Sequence, residues 1–248
     1  MIRIEILSRA TDIKRRDSIS EQLSQLDGMV FYNFFDAITP SYLPENIIKS
    51  DSLLTGGEKC CALGHILMCK MLIDSNEQYR VFMEDDANVD LEKFKEIEPA
   101  LKFFHKKFDV IVLGYSKVDE ELKNKIQFFR PLFRVLRYKN YNIGIPYKNW
   151  KCGTVCYSIS KKGARKLVKI NADCLYTSDD WNQFAKNGLK IAHLMPLAVT
   201  EQYAKFTSSL ESERKTFKQR ALLLRYGAGL FRHISCFIEY IKYKIFTS

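Results

Sequence analysis

The sequence predicts an α/β fold with a mostly parallel sheet. Short apolar runs suited to buried strands, such as YRVFM (79–83) and FDVIVLG (108–114), recur along the chain. Between them lie longer segments whose apolar residues fall at helical spacing. The two kinds alternate, as they do in βαβ units. With 248 residues, 46% of them hydrophobic, the chain can build one large core.

Taken in order, MIRIEIL (1–7) alternates apolar and charged residues and reads as a first strand. Residues 17–27 read as a helix and MVFYNFFDAI (29–38) as a second strand. Pro40 and Pro44 mark the loop that follows. TGGEKCCALGHILMCKMLIDSN (55–76) reads as a largely buried helix through Cys61, Leu63, Ile66, Leu67, Met71 and Leu72. YRVFM is a short strand, residues 91–107 a charged amphipathic helix, and FDVIVLG a buried strand closed by Gly114. Residues 115–150 show no clear period. CGTVCYSIS (152–160) then reads as a strand and KKGARKLVKI (161–170) as a helix. DDWNQFAKNG (179–188) reads as a short helix stopped by Gly188, and LKIAHLMP (189–196) as the last strand.

Composition breaks near residue 210, which separates a domain of residues 1–210 from a basic helical segment of residues 211–248. In that segment Leu223, Leu230, Ile234, Phe237, Ile241 and Ile245 recur at spacings of three, four or seven, and Gly227 and Gly229 divide it into two expected helices. The net charge is +10, of which Arg214 to Ser248 carries +7. A near-neutral domain with a basic amphipathic tail is not the pattern of a nucleic-acid binder. Seven cysteines without CxxC spacing argue against a disulfide framework or a zinc site and for a reducing compartment. No run approaches a signal peptide or the roughly 18 apolar residues of a membrane span. A cytoplasmic protein is the expectation.

The chemistry concentrates at VFMEDDANVD (81–90), where three apolar residues run into Glu84, Asp85 and Asp86. Side chains alternate along a strand, so Glu84 and Asp86 point to one side. Two like charges ~4 Å apart repel by about 4 kcal/mol at an intermediate dielectric. A divalent cation removes the conflict, and carboxylate oxygens suit Mg²⁺ or Mn²⁺. Ligands of open α/β sheets sit beyond the carboxyl ends of strands, where the triplet lies. A solvated junction of three acids is the plainer reading. A metal-dependent phosphohydrolase is another; an aspartyl-phosphate enzyme would need Asp where Glu84 stands.

Seven segments in order resemble glycosyltransferase family 25: KRRDSI (14–19), FFDAI (34–38), GEKCCALGH (57–65), FMEDDA (82–87), GTVCYSISKKGARKLV (153–168), SDDW (178–181) and EQYAKF (201–206). The chain looks most like the lipooligosaccharide β-1,4-galactosyltransferases of that family. It departs at Gly64, where the family usually has Ser, and at Thr177-Ser178, where it usually has Pro-Val. The resemblance implies a GT-A fold with a Rossmann-like nucleotide-binding sheet. It also implies a UDP-galactose or UDP-glucose donor, Mn²⁺ or Mg²⁺, and inversion at the anomeric carbon. Asp86 is then the expected metal ligand, with Glu84 as second ligand or ribose contact and Asp85 against the sugar. Asp179 or Asp180 is the expected base, the other being free to cap a helix. Arg15 or Arg16 would meet UDP. His65, Gly153, Thr154 and Gln202 would line the substrate site, and Trp181 would stack on the acceptor. His193 would stay in the core.

The acceptor implied is a lipooligosaccharide sugar. Residues 214–246 would then rest on the anionic cytoplasmic face of the inner membrane, since each basic residue near such a surface contributes about 1 kcal/mol. Packing of the apolar stripe on the domain, or in a homodimer seam, is the alternative.

Overall fold

In a computed structural model the chain is described over residues 1–45, 54–118, 126, 128–173, 175–202 and 222–247. The strands are β1 (Ile2–Ser8), β2 (Val30–Asp36), β3 (Tyr79–Glu84), β4 (Ala87–Val89), β5 (Val110–Val112), β6 (Phe133–Tyr138), β7 (Tyr141–Ile145), β8 (Cys156–Ser160), β9 (Ile191–Met195) and β10 (Val199–Glu201). The helices are α1 (Ile13–Ser24), α2 (Gly56–Asp74), α3 (Leu91–Lys95), α4 (Ile97–Phe104), α5 (Lys161–Asp173), α6 (Trp181–Lys186) and α7 (Leu222–Thr247).

Eight strands form one sheet in the order β2-β1-β3-β8-β5-β9-β7-β6. The sheet is mixed, which corrects the mostly parallel expectation. β1 pairs in parallel with β2 and β3, and β5 with β9, while β8, β7 and β6 pair antiparallel with their neighbours. The alternating strand–helix pattern holds at both ends of the domain and is interrupted between β5 and β8. The chain returns antiparallel through β8, and the unreadable region holds the β6–β7 hairpin.

Strand periodicity sorts the core into two layers. Ile4, Ile6, Val81, Met83 and Ile111 face one side, where Ile19 and Leu23 of α1 and Ile97, Leu101 and Phe104 of α4 cover them. Phe82, Val110, Val112, Tyr157 and Ile159 face the other, under Ala62, Met68 and Leu72 of α2, Leu167 of α5 and Trp181 and Phe184 of α6. Helices on both faces of a central sheet make the α/β architecture that was expected. α2 starts at a capping box, Glu58 N–H donating to Thr55 Oγ1 and Thr55 N–H to Glu58 Oε2. The helix expected over 91–107 is interrupted at Glu96, which lies outside the α range at φ −116°.

Between β1 and β3 strand order reverses. The chain leaves β1 for β2 on one side and returns to β3 on the other. Such a switch point opens a crevice at the carboxyl ends of the two strands. Here it is bounded by the loop after Ser8 and by the acidic triplet after Met83.

The tail is a single helix through both glycines, correcting the two helices expected; residues 214–221 lie outside the described residues. α7 rests on the β6 edge. Arg232 Nη1 donates to the Phe129 carbonyl at 2.9 Å, and Phe133 packs on Tyr240 and Tyr243. Its other side leaves Leu230, Phe231, Ile234, Phe237, Ile238, Ile241 and Ile245 exposed, from 42% to 66%. Among the described residues no helix is long and apolar enough to cross a membrane.

Candidate functional site

Glu84 ends β3, and Asp85 and Asp86 form the tight turn into β4. β10 closes this turn from behind. It pairs antiparallel with β4, Gln202 N–H donates to the Asp86 carbonyl at 2.8 Å, and Gln202 Nε2 donates to the Ala87 carbonyl at 3.0 Å. Gln202 therefore shapes the acidic turn through its backbone. The same pairing brings Glu201 close enough to Asp86 for their charges to repel, with Glu201 Oε2 accepting from Lys117 N–H at 2.6 Å.

The two aspartates are buried, each 6% exposed. Arg15, on α1, reaches across the switch point. Its Nη1 donates to Asp85 Oδ1 at 2.8 Å and to Asp86 Oδ2 at 3.3 Å. Asp86 Oδ1 has no hydrogen-bond partner among the described residues. Burial, and then the charges of Glu84 and Glu201, push the Asp86 pKa up to about 8 against the pull of Arg15. A buried carboxylate with one orphaned oxygen and two acidic neighbours fits a divalent cation. Arg16 differs from Arg15: it is committed to Ser8 and Asp36 and lies over the Phe34 ring at 4.8 Å.

Glu84 turns toward α2 and β8. Its Oε1 accepts from Thr154 Oγ1 and lies 3.8 Å from His65 Nε2. Burial raises its pKa, but His65, Thr154 and Arg15 together hold it below the ordinary value. His65 is 2% exposed; its Nδ1 lies 2.9 Å from Tyr157 Oη, and its Nε2 has no hydrogen-bond partner. Cys61, one turn before His65, completes a group in which Sγ, a His65 ring nitrogen and a Glu84 oxygen lie within 4.8 Å of one another.

Gly153 and Thr154 link this group to the late aspartates. They lie in the turn before β8, not at the head of a strand. Gly153 has φ +80°, and a Cβ there would stand 1.7 Å from Ser116 Oγ, so only glycine fits. Its N–H donates to Asp179 Oδ2 at 3.1 Å, and its carbonyl accepts from Trp181 Nε1 at 3.2 Å. Asp180 is the helix cap: its Oδ1 accepts from Gln183 N–H at 3.1 Å, and its Oδ2 lies 3.4 Å from Lys151. Trp181 is fully buried against Tyr157 and Phe184, so it is not an acceptor platform. His193 is a core histidine, bonded to Tyr115 and Asn149 and stacked on Trp150.

The structure thus gathers Arg15, His65, Glu84, Asp85, Asp86, Thr154 and, through Gly153, Asp179 at one end of the sheet. Sequence reading gave no role to Glu201 or Cys61. The spacing of Cys61 and His65 puts both on one helix face and was a usable signal. Glu201 meets Asp86 only through strand pairing across more than a hundred residues, which no local pattern reveals.

Residues 1–182 match the family described as Glycosyltransferase family 25 (LPS biosynthesis protein). The chain belongs to glycosyltransferase family 25. Among its relatives, a "Putative glycosyltransferase" of Haemophilus influenzae is 28% identical over 66% of this chain and 56% of its own length. The "Lipooligosaccharide biosynthesis protein lic2B" of Haemophilus influenzae is 24% identical over 65% of this chain and 60% of its own. The chain therefore spans less than two thirds of either protein. The "Lacto-N-neotetraose biosynthesis glycosyltransferase LgtE" of Neisseria meningitidis is 27% identical over 82% of this chain and 76% of its own. A solved galactosyltransferase, LgtC with donor and acceptor sugar analogues, aligns with 94% of this chain and 95% of its own at 10% identity and TM-score 0.48. Family membership covers the acidic turn, His65, Gly153, Thr154 and both late aspartates, and ends before Glu201.

Proposed function

We propose that this family 25 protein transfers galactose from UDP-galactose to a sugar of a lipooligosaccharide acceptor, inverting the anomeric carbon and forming a β-1,4 linkage. UDP-glucose is the competing donor. The observation that carries the reading is the Gly153-Thr154 dipeptide, which ties the acidic turn to Asp179: Thr154 touches Glu84 and Gly153 touches Asp179. The groups that would bind a donor and activate an acceptor are thereby fixed in one frame.

Asp86 and Glu84, with Glu201 beside them, would hold Mn²⁺ or Mg²⁺. When bound, such an ion supplies positive charge against the departing diphosphate. Arg15, which reaches this crevice, would meet a phosphate of the donor. Asp85, held by Arg15, would face the donor sugar. Asp179 would accept the proton of the attacking acceptor hydroxyl. Its carboxylate is oriented by the Gly153 N–H, while Asp180 is occupied as a cap. Exposed α7, with Lys242 and Lys244 beside its apolar side, would hold the protein on the anionic cytoplasmic face of the inner membrane.

The test is transfer of labelled galactose from UDP-galactose, with UDP-glucose in parallel. We expect UDP release that EDTA abolishes and Mn²⁺ restores. Asp86→Asn should abolish it while leaving the melting transition cooperative. Full turnover in EDTA, or by Asp86→Asn, would refute the metal role.

A further inference from the structure

Cys61, His65 and Glu84 offer a sulfur, a nitrogen and an oxygen within 4.8 Å of one another, at the wall between α2 and the end of β3. The plain account of this group is a core histidine paired with a carboxylate. The geometry does not support it fully. At 3.8 Å, His65 Nε2 is too far from Glu84 Oε1 for a hydrogen bond, and among the described residues it finds no other partner although it is only 2% exposed. Nδ1, in contrast, is bonded to Tyr157 Oη at 2.9 Å. With the hydrogen on Nδ1, Nε2 presents a buried lone pair to Cys61 and Glu84. Metal-binding histidines are oriented through the second nitrogen in this way. Ser178 Oγ lies beside the group, 3.3 Å from Cys61 Sγ and 3.3 Å from Thr154 Oγ1.

We infer that Cys61, His65 and Glu84 form a binding site for a borderline-soft divalent ion of the zinc class, next to the all-oxygen site at Asp86 and sharing Glu84 with it. The ligand types decide the ion. Thiolate and imidazole favour zinc or cobalt over magnesium, and three protein ligands with one open position are the pattern of exchangeable zinc sites. Glu84 stands between the two sites, so an ion bound here fixes the carboxylate that also borders the acidic turn. The lack of CxxC spacing does not bear on this group, whose candidate ligands are a Cys and a His one turn apart plus a strand-end Glu. The inference does not depend on glycosyl transfer.

Cobalt(II) reports thiolate ligation directly. The full-length chain, stripped of metal and titrated with Co²⁺, should develop a near-ultraviolet thiolate-to-cobalt charge-transfer band that saturates at one equivalent. Zn²⁺ should bleach it. Asp86→Asn should retain the band, and Cys61→Ser should lose it. Tyr157→Phe keeps every ligand but removes the Nδ1 partner, and should weaken cobalt binding by about 10–100-fold. As a measurement on the unaltered protein, zinc should protect Cys61 from iodoacetamide in peptide mapping. No band at saturating cobalt, a band that survives Cys61→Ser, or equal Cys61 labelling with and without zinc would overturn the site.

Discussion

Asp179 and Asp180 are neighbours of the same type, yet their surroundings give them different work. Asp180 caps α6, and replacing it with Ala should cost about 1 kcal/mol of stability with little change in turnover per folded molecule. Asp179 accepts from Gly153 N–H, and Asp179→Asn should lower kcat by roughly 10² or more while the donor KM stays near that of the wild type. Equal turnover in the two variants would remove Asp179 from the base role. The sequence could place both acids before a helix, but it could not choose between them. The choice rests on Gly153, whose positive φ turns its N–H toward one carboxylate. Trp181 shows the opposite limit. Beside a candidate base it reads as a sugar platform, whereas its indole N–H is spent on the Gly153 carbonyl and its ring fills the core. Burial of a particular ring depends on which face a short helix presents, and six residues are too few to show a period.

At the level of elements, β1 and β3 are joined by more than backbone. Arg80 Nη1 donates to Glu5 Oε1 at 2.9 Å in the sheet interior, both side chains close to 5% exposed. Burial raises the Glu5 pKa, and Arg80 is the chief influence opposing it. Arg80→Ala strands a buried carboxylate and should cost about 3–5 kcal/mol, read as a lowered urea midpoint. His193 on β9 makes a pH-dependent contribution. Burial holds its pKa down at about 3, so the unfolded chain takes up this proton first as pH falls. Stability from His193 is complete above its ordinary value of 6.5 and is lost progressively from there toward pH 3. Asp86, with its raised pKa, works in the opposite direction between about pH 4 and 8. The difference in urea midpoint between wild type and His193→Gln isolates the histidine and should shrink from pH 7 to pH 4.5. A difference that stays constant would refute the assignment. Elements with a strong period, β1, α2, β3 and α5, were legible from sequence. The β6–β7 hairpin was not, because its turn is Lys139-Asn140, with Lys139 at φ +49° and no glycine to announce it. The antiparallel direction of β8 was also invisible, since strand polarity is set by neighbours distant in sequence.

The whole molecule is asymmetric in what it shows to solvent. The sheet and its helices leave only scattered large apolar residues exposed, such as Ile13, Phe31 and Met71, while α7 leaves seven exposed along one side. Contact with the β6 edge satisfies the alternative that the tail packs on the domain, but only for that edge of the helix. Full-length protein should sediment with vesicles containing phosphatidylglycerol, less so at high salt, and a chain ending at Ser212 should not. A concentration-dependent dimer that ignores vesicles would assign the exposed side to a second copy instead. The tail was readable as basic and amphipathic; its partner was not, because exposure is a property of the folded surface.

The acidic turn is closed by strand β10, and this sets a condition on when the site can come into being. Arg15 and the triplet are made early, but Glu201 and Gln202 must leave the ribosome before the β4–β10 pair can form. A nascent chain that has folded its first parallel strands still lacks the wall behind Asp86. Such a chain would carry the complete family signature, since residues 1–182 contain it, without a finished crevice. Premature release would therefore yield a product recognisable by sequence and unable to organise its own acids. The wall behind Asp86 is thus completed late in translation, at about the point when the exposed helix α7 is next to emerge.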